Sequence, residues 1–554
     1  MRVNGAAAAA WRMPMIFDWT NPYRTIRTPL FARNIVSTSH PLAAQAGIRM
    51  LLAGGNAVDA ALAAAAMLTV VEPVNNGLGS DAFAILWDGK QLHGLNASGP
   101  SPAAWTPEYF RRRHGEEGNG FVKIPERGWD TVTVPGAVAA WGALHGRFGS
   151  LPLGDILAPA LEAAERGSAV PPVVAAKWAA AAPLLKGYPG WAQTFLPNGR
   201  APAVGEKFVF PGAARLLRAL AQNGVREFYE GRVAGSIAAW AKETGGSLAL
   251  EDLRAFRPEW VQPLSLEYHG YELHEIPPNS QGISALIALG LLRHFDLPSL
   301  GPDSPQSQHL QIEAMKLAFA DIWRHLGDPR SMRVTAEQML DPAYLAGRAR
   351  LIDPRKASFH GPGAFPSGGT VYLAAADEKG LMVSYIQSNY MDFGSGVVVP
   401  EYGISLQNRG SAFSADPASA NAPGPGKRPC HTIIPAFLTE KGRPRMSFGV
   451  MGADVQPQGH VQTVVRMIDY RQQPQAACDA PRFKVNRDFS VNLESRADPA
   501  LKAALEGMGH TIRLDDVYHG ESGAGQFIWR LSENPEQGYV AASDTRRDGC
   551  ACGF

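Results

Sequence analysis

The stretch Ser367-Gly-Gly-Thr370-Val-Tyr-Leu-Ala-Ala-Ala-Asp377-Glu-Lys-Gly380 constrains this chain more than any other. Two glycines lead into a threonine, which opens a run that reads as a buried strand. Asp377 to Gly380 then turns the chain back toward a second strand. A cut between Gly369 and Thr370 would give Thr370 a hydroxyl nucleophile and a free α-amine on one residue. Threonine paired with an N-terminal amine is one way to activate a weak nucleophile. A lone Gly-Gly-Thr before a strand is common, however. Its ordinary reading is a loop that ends in a β-branched residue, so the rest of the chain must carry the argument.

Composition narrows the classes. The chain has 554 residues, 45% hydrophobic and 19% charged, within the globular range. Length alone suggests roughly three to four domains at ~150 residues each. With 52 basic against 51 acidic residues and no basic block, nucleic acid is a poor partner. The cysteines are Cys430, Cys478, Cys550 and Cys552, with no CxxC pair. Cys550 and Cys552 sit too close in sequence for an easy bridge, which suits a reducing compartment or a chain indifferent to redox state. The alanine run Ala6 to Ala10 is too short and weak for a secretion signal. The apolar run Ala60 to Val71 falls short of the ~20 residues that span a bilayer. These features predict a soluble, cytoplasmic protein.

In chain order, residues 1–33 read as an irregular lead-in and 34–39 as a strand. Leu42 to Ala53 reads as a helix stopped by Gly54-Gly55. Asn56 is placed to cap a helix from Ala57 to Val71, apolar nearly all round and therefore buried. Phe83 onward reads as two strands joined at Asp88-Gly89. Residues 134–245 are mostly helical in pattern, 262–276 alternate as strands do, and helices follow near 283–294 and 306–326. Leu351 to Gly369 is rich in Pro, Gly and Ser and reads as an exposed, mobile linker. Beyond it, strand runs recur at 371–376, 381–387, 396–399, 433–438 and 445–450, with helices near 460–470 and 474–480. A helix-rich first part and a strand-rich second part predict sheets covered by helices, an α+β or α/β class.

Other stretches carry possible chemistry. Asn75-Asn-Gly77-Leu-Gly79-Ser80-Asp81 is glycine-rich but lacks phosphate-loop spacing, and Gly426-Lys427 is followed by Arg, not Ser or Thr. Both read as turns. Gly449-Val-Met-Gly452-Ala453-Asp454 lies between a strand and a helix, where backbone N–H groups can face an incoming oxyanion. Judged alone it is an ordinary strand-to-helix turn. His40, His431 and His460 show no metal-ligand spacing, and no metal or cofactor is expected.

Together these segments resemble the γ-glutamyltranspeptidase family of N-terminal-nucleophile hydrolases. The resemblance rests on Ser39-His-Pro-Leu-Ala-Ala-Gln-Ala-Gly47, Gly54-Gly-Asn-Ala-Val-Asp-Ala-Ala61, Val71-Glu-Pro73, Val134-Pro-Gly-Ala137, Leu317-Ala-Phe-Ala-Asp321, Phe393-Gly-Ser395, Ala480-Pro-Arg482 and Ala541-Ala-Ser-Asp544-Thr-Arg546. It covers about residues 34–554. It implies a four-layer αββα sandwich and self-cleavage before Thr370. The products would be a large segment, 34–369 after the lead-in 1–33, and a small one, 370–554. The resemblance implies that they stay together as a pair, which can pair again as a dimer. Thr370 would be the nucleophile, Ser388 its hydrogen-bonding neighbour, and Gly452 and Ala453 the oxyanion donors. Alanine in place of a second glycine keeps the N–H but narrows the allowed backbone.

The departures concern substrate. The family holds an α-carboxylate with an Arg in an Arg-Glu-x-x-Pro run, where this chain has Asn96-Ala-Ser-Gly-Pro100. A Ser-Ser pair is replaced by His431-Thr432. The Asn and Asp that hold an α-amine align with Tyr390 and about Ala412, and alanine cannot replace a carboxylate that pairs an ammonium. Arg409 is a new charge nearby, and Arg409 with His431 is expected to meet a differently placed carboxylate or carbonyl. Asn389-Tyr390, Gln407-Asn-Arg409-Gly410 and Gln456-Pro-Gln-Gly-His460 look closer to the amidohydrolase branch, which includes oxamate amidohydrolase and cephalosporin acylases. The resemblance implies hydrolysis of a small acyl amide through a Thr370 acyl-enzyme. The alternatives are a γ-glutamyltransferase or glutathione hydrolase with a rebuilt clamp, and an uncut, non-catalytic binding protein of the same fold.

Overall fold

The computed structural model describes residues 26–116, 121–359, 369–516 and 522–554. Fourteen strands build two seven-stranded sheets, and every neighbouring pair in both is antiparallel. In chain order they are β1 (Leu30–Ala32), β2 (Ile35–Thr38), β3 (Asp81–Trp87), β4 (Leu92–Ala97), β5 (Glu259–Val261), β6 (Leu264–Tyr268), β7 (Tyr271–Glu275), β8 (Gly369–Ala376), β9 (Met382–Tyr390), β10 (Ala436–Glu440), β11 (Arg443–Met451), β12 (Ala524–Arg530), β13 (Tyr539–Ser543) and β14 (Cys550–Gly553). The first sheet runs β14-β2-β8-β9-β3-β4-β5, and the second β1-β13-β12-β11-β10-β7-β6.

Alternation along the strands sorts the layers. On β8, Tyr372, Ala374 and Ala376 enter the apolar layer between the sheets, with Phe83, Ile85, Phe437 and Ile528. Val371, Leu373 and Ala375 point the other way, into a core with the helices α1 (Pro41–Leu52), α2 (Ala57–Val71) and α3 (Ala137–Phe148). The second sheet packs its outer face on α4 (Ile283–Leu292), α5 (Pro305–His325) and α6 (Val455–Ile468). Helix, sheet, sheet, helix is the four-layer αββα sandwich that the resemblance implied.

Local chemistry explains the small-residue motifs. All fifteen residues of α2 are buried, and its N-terminus carries a capping box between Asn56 and Asp59. A Cβ added to Gly47 of α1 would lie 2.9 Å from the Ala60 carbonyl oxygen of α2, so these helices cross too closely for a side chain there. The turn at Asp377 docks on the same helix: its Oδ1 accepts from Lys379 and Leu381 N–H, and its Oδ2 from Ala57 N–H. Arg482 and Arg546 both pair with Asp544, and Arg546 also grips Glu494 with two nitrogens.

Several expectations change. The lead-in is not wholly irregular, because Leu30–Ala32 pairs with β13. The helix expected near 460 begins at Val455. The three last strands of the sheets and the helix Pro499–Gly507 were not read from the sequence. Strands from both sides of residue 369 share the first sheet, where β8 pairs with β2 and β9 with β3. Of the expected linker, 360–368 lies outside the described residues, as does the alanine run. The part from 351 to 359 is mostly exposed yet anchored, with Ala357 N–H on the Met508 carbonyl and Ser358 N–H on Glu313.

Gly449 on β11 faces the Tyr372 ring, and an added Cβ would lie 2.5 Å from it. Gly449→Ala is expected to lower stability by about 1–3 kcal/mol. A denaturant midpoint equal to that of the parent would contradict this close approach.

Candidate active site

Thr370 stands at the head of β8, where the register with β9 shifts between Gly369 and Val371. Gly369 lies opposite Tyr390, while Val371 lies opposite Gln387. The threonine is on the inter-sheet face and only 3% exposed. Its Oγ1 lies 3.3 Å from Ser388 Oγ and 3.3 Å from Gln456 Nε2. Each neighbour is itself oriented. Ser388 Oγ accepts the Tyr390 N–H at 2.7 Å. Gln456 Oε1 accepts the Ile434 N–H, which turns its Nε2, a donor only, toward the threonine. Gln456 thus donates to Oγ1, and the Thr370 and Ser388 hydroxyls share a second hydrogen bond in which either can donate.

Gln456 belongs to the first turn of α6, and the β11–α6 turn just before it holds Gly452 and Ala453. Both have positive φ, 128° and 51°. A left-handed alanine costs about 1–2 kcal/mol, the kind of strain that collects at functional turns. Among the described residues neither N–H is a donor in a hydrogen bond. Gln281 braces the turn by donating to the carbonyls of Ala453 and Thr432.

Beside Thr370 lies a buried charge cluster that sequence reasoning did not assemble. Asp81 heads β3 directly opposite Ser388. Its Oδ2 lies 3.2 Å from Arg409 Nε and 2.5 Å from His431 Nε2. Arg409 also donates to Thr432 Oγ1 at 2.9 Å, and its guanidinium lies over the Tyr390 ring, 4.2 Å from the centroid. Tyr390 has φ 77° and packs with Met391 and Ala412. Burial alone would raise the Asp81 carboxyl, but Arg409 and His431 outweigh it and hold it below the usual range. His431 is pushed down to about 4 by burial and by the Arg409 charge, against the pull of Asp81. Geometry agrees: its Nδ1 accepts the Ile433 N–H, so the single ring proton sits on Nε2 and is donated to Asp81.

The expected substrate contacts therefore divide. Tyr390, Arg409, His431 and Thr432 form one cluster, but both nitrogens of His431 are engaged within the protein. Asn96 stands apart from Thr370 in its bonding. Its Oδ1 accepts from Ser98 N–H and Oγ, and its Nδ2 donates to Asn279. Asp81 and Gln456 are the residues the sequence left unassigned. The signal for Asp81 was a carboxylate at the head of an otherwise apolar strand. Among the described residues, His309, Glu313 and His510 have donor types that suit a metal. There Lys316 donates to Glu313 and meets His510 Nδ1, and His309 bonds His510 and the Asp353 carbonyl, so a cation and hydrogen bonds already serve these ligands.

The family model described as Gamma-glutamyltranspeptidase matches residues 43–554. The chain belongs to the gamma-glutamyltranspeptidase family. It is accordingly an N-terminal-nucleophile-type amide hydrolase or acyltransferase. It is 36% identical over 532 residues to an oxamate amidohydrolase proenzyme from Klebsiella pneumoniae, covering 93% of this chain and 97% of that one. It is 34% identical over 536 residues to the glutathione hydrolase-like YwrD proenzyme of Bacillus subtilis, covering 94% and 98%. Among solved structures, cephalosporin acylase from Bacillus halodurans superposes with a TM-score of 0.91 at 45% identity, covering 98% of this chain and 99% of that one. Among the described residues no helix is long and apolar enough to cross a membrane.

The neutral state of His431 has a pH consequence. An unfolded histidine titrates near 6.5, this one near 4. Between those values the unfolded chain binds the extra proton, so stability is lost as pH falls from 6.5 toward 4. His431→Gln keeps a donor for Asp81 and is expected to flatten that dependence by about one proton. Unfolding measured across pH 4–7 checks this, and an unchanged slope would show that His431 is not the group.

Proposed function

We propose that this gamma-glutamyltranspeptidase-family protein is an autoprocessing amidohydrolase whose nucleophile is Thr370, acting on a small acyl amide. The observation that carries the reading is Thr370 Oγ1 held between Ser388 Oγ and Gln456 Nε2 at the head of a strand, in a chain whose relatives are named proenzymes.

In the uncut chain, Thr370 Oγ1 attacks the Gly369 carbonyl carbon. The peptide C–N bond breaks, the nitrogen takes a proton, and an ester forms. Water hydrolyses that ester, leaving the Gly369 carboxylate and a Thr370 with a free α-amine. The same oxygen then attacks a substrate amide, with the α-amine as base. An unperturbed α-amine titrates near ~7.7–8.0, within reach of neutral pH. The Gly452 and Ala453 N–H groups receive the tetrahedral oxyanion, the amine leaves, and water resolves the acyl-enzyme. The reacting parts all come from the polypeptide, so the mechanism calls for no cofactor.

The missing amino-acid clamp favours an acyl group other than γ-glutamyl. Asn96 carries no charge and Ala412 no carboxylate, while among the described residues Arg409 uses three of its five N–H groups on Asp81 and Thr432, which leaves two that could meet a substrate carboxylate or carbonyl. Oxamate and a glutaryl amide are therefore the first substrates to try, with glutathione as the comparison. Turnover of glutathione alone would favour a transferase or glutathione hydrolase with a rebuilt clamp.

Thr370→Ala is expected to leave a single 59.4 kDa chain and to reduce turnover by at least about 10⁴-fold. A variant that still runs as two fragments would overturn the assignment. Ala453→Gly keeps the N–H and relieves the left-handed alanine, so cleavage and kcat should stay within a few-fold of the parent. Loss of either would mean that the 453 position acts through its methyl group.

A further inference from the structure

The strand Cys550–Gly553 lies at the edge of the first sheet, with Cys550 opposite Thr38 and Cys552 opposite Val36. Residues two apart on a strand share a face. Both cysteines meet the apolar core beneath the first two helices, while Ala551 meets the layer between the sheets. Their Sγ atoms lie 3.5 Å apart, joined by an S–H···S hydrogen bond. Both are half-buried, whereas Cys430 and Cys478 are fully buried. Burial pushes the Cys430 and Cys478 thiols up, which makes them inert.

The edge pair behaves differently. The hydrogen bond from Cys550 pulls Cys552 down to about 7, and the same bond with burial pushes Cys550 up. One sulfur thus becomes a thiolate near neutrality while its neighbour keeps a proton for it. Sequence spacing argued against an easy bridge, and the strand keeps part of that objection. Alternate Cα atoms on a strand lie about 6.6 Å apart, near the wide limit for a disulfide. The sulfurs nevertheless face each other at contact distance. A bond made there would be strained and readily reduced, unlike a structural disulfide.

We propose that Cys550 and Cys552 form a reversible dithiol–disulfide site, closed by a peroxide and reopened by a thiol. The Cys552 thiolate attacks one peroxide oxygen, the O–O bond breaks, and hydroxide leaves with a proton as water. Cys552 is then a sulfenic acid. The Cys550 sulfur attacks the Cys552 sulfur, the S–O bond breaks, and hydroxide leaves with the Cys550 proton as a second water. Two thiols and one peroxide give one disulfide and two waters. The site stands apart from Thr370 and does not depend on the reaction proposed there.

The test uses the native, fully reduced protein treated with hydrogen peroxide, then alkylated and mapped by mass spectrometry. The expected result is a C-terminal peptide lighter by about 2 Da, unalkylated at both positions and restored by dithiothreitol, with Cys430 and Cys478 unchanged. In Cys550→Ser the mass loss should disappear, and Cys552 should gain oxygen instead. Persistence of two alkylatable thiols after peroxide, direct passage of Cys552 to the sulfinic acid in the parent, or a mass loss that survives Cys550→Ser would each overturn the proposal.

Discussion

The pairing of Gly369–Ala376 with strands on both sides is the constraint on which the molecule depends. One neighbour, Ile35–Thr38, comes from early in the chain, and the other, Met382–Tyr390, follows directly. The strand therefore cannot leave without breaking the first sheet. Its head carries Thr370, and the register shift there lets the backbone around Gly369 and Thr370 depart from regular pairing. A cut at this point removes no ladder partner between 371 and 376. The sheet thus offers a reason why two fragments of one precursor would stay together.

The buried charge cluster is the second organising element. Asp81, Arg409 and His431 lie in a space from which water is excluded, and removing one partner of such a pair costs about 3–5 kcal/mol. The same cluster fixes the Tyr390 ring under the guanidinium and lies across from Ser388. The cluster and the neighbourhood of the threonine are thus mechanically joined. His431, with both nitrogens in use, serves this scaffold, and Arg409 ties Asp81 to Thr432.

Much of this was legible in the sequence. The almost wholly apolar helix at 57–71, its Asn56 cap and the turn at Asp377 follow from periodicity and capping chemistry. The strands bounding Thr370 follow from their β-branched and apolar runs. What sequence could not supply was distance. Asp81 and His431 are 350 positions apart in the chain and meet only in the folded molecule, through the His431 Nε2–Asp81 Oδ2 hydrogen bond. Gln456 read as part of a motif, but its aim at Thr370 depends on the Ile434 N–H that orients it. The late strands were missed because Ala524-Gly-Gln and Ala541-Ala-Ser are small-residue segments with little alternation. They are strands because the second sheet and the layer between the sheets need them there.

The central claim is that Thr370 becomes an N-terminal residue. Intact-mass measurement of freshly purified wild-type protein, followed by N-terminal sequencing of the smaller species, tests it most directly. The account predicts two species that together make up the 59.4 kDa chain plus one water, the smaller beginning Thr-Val-Tyr-Leu. A single uncut chain, or a smaller species beginning at any other residue, would contradict it.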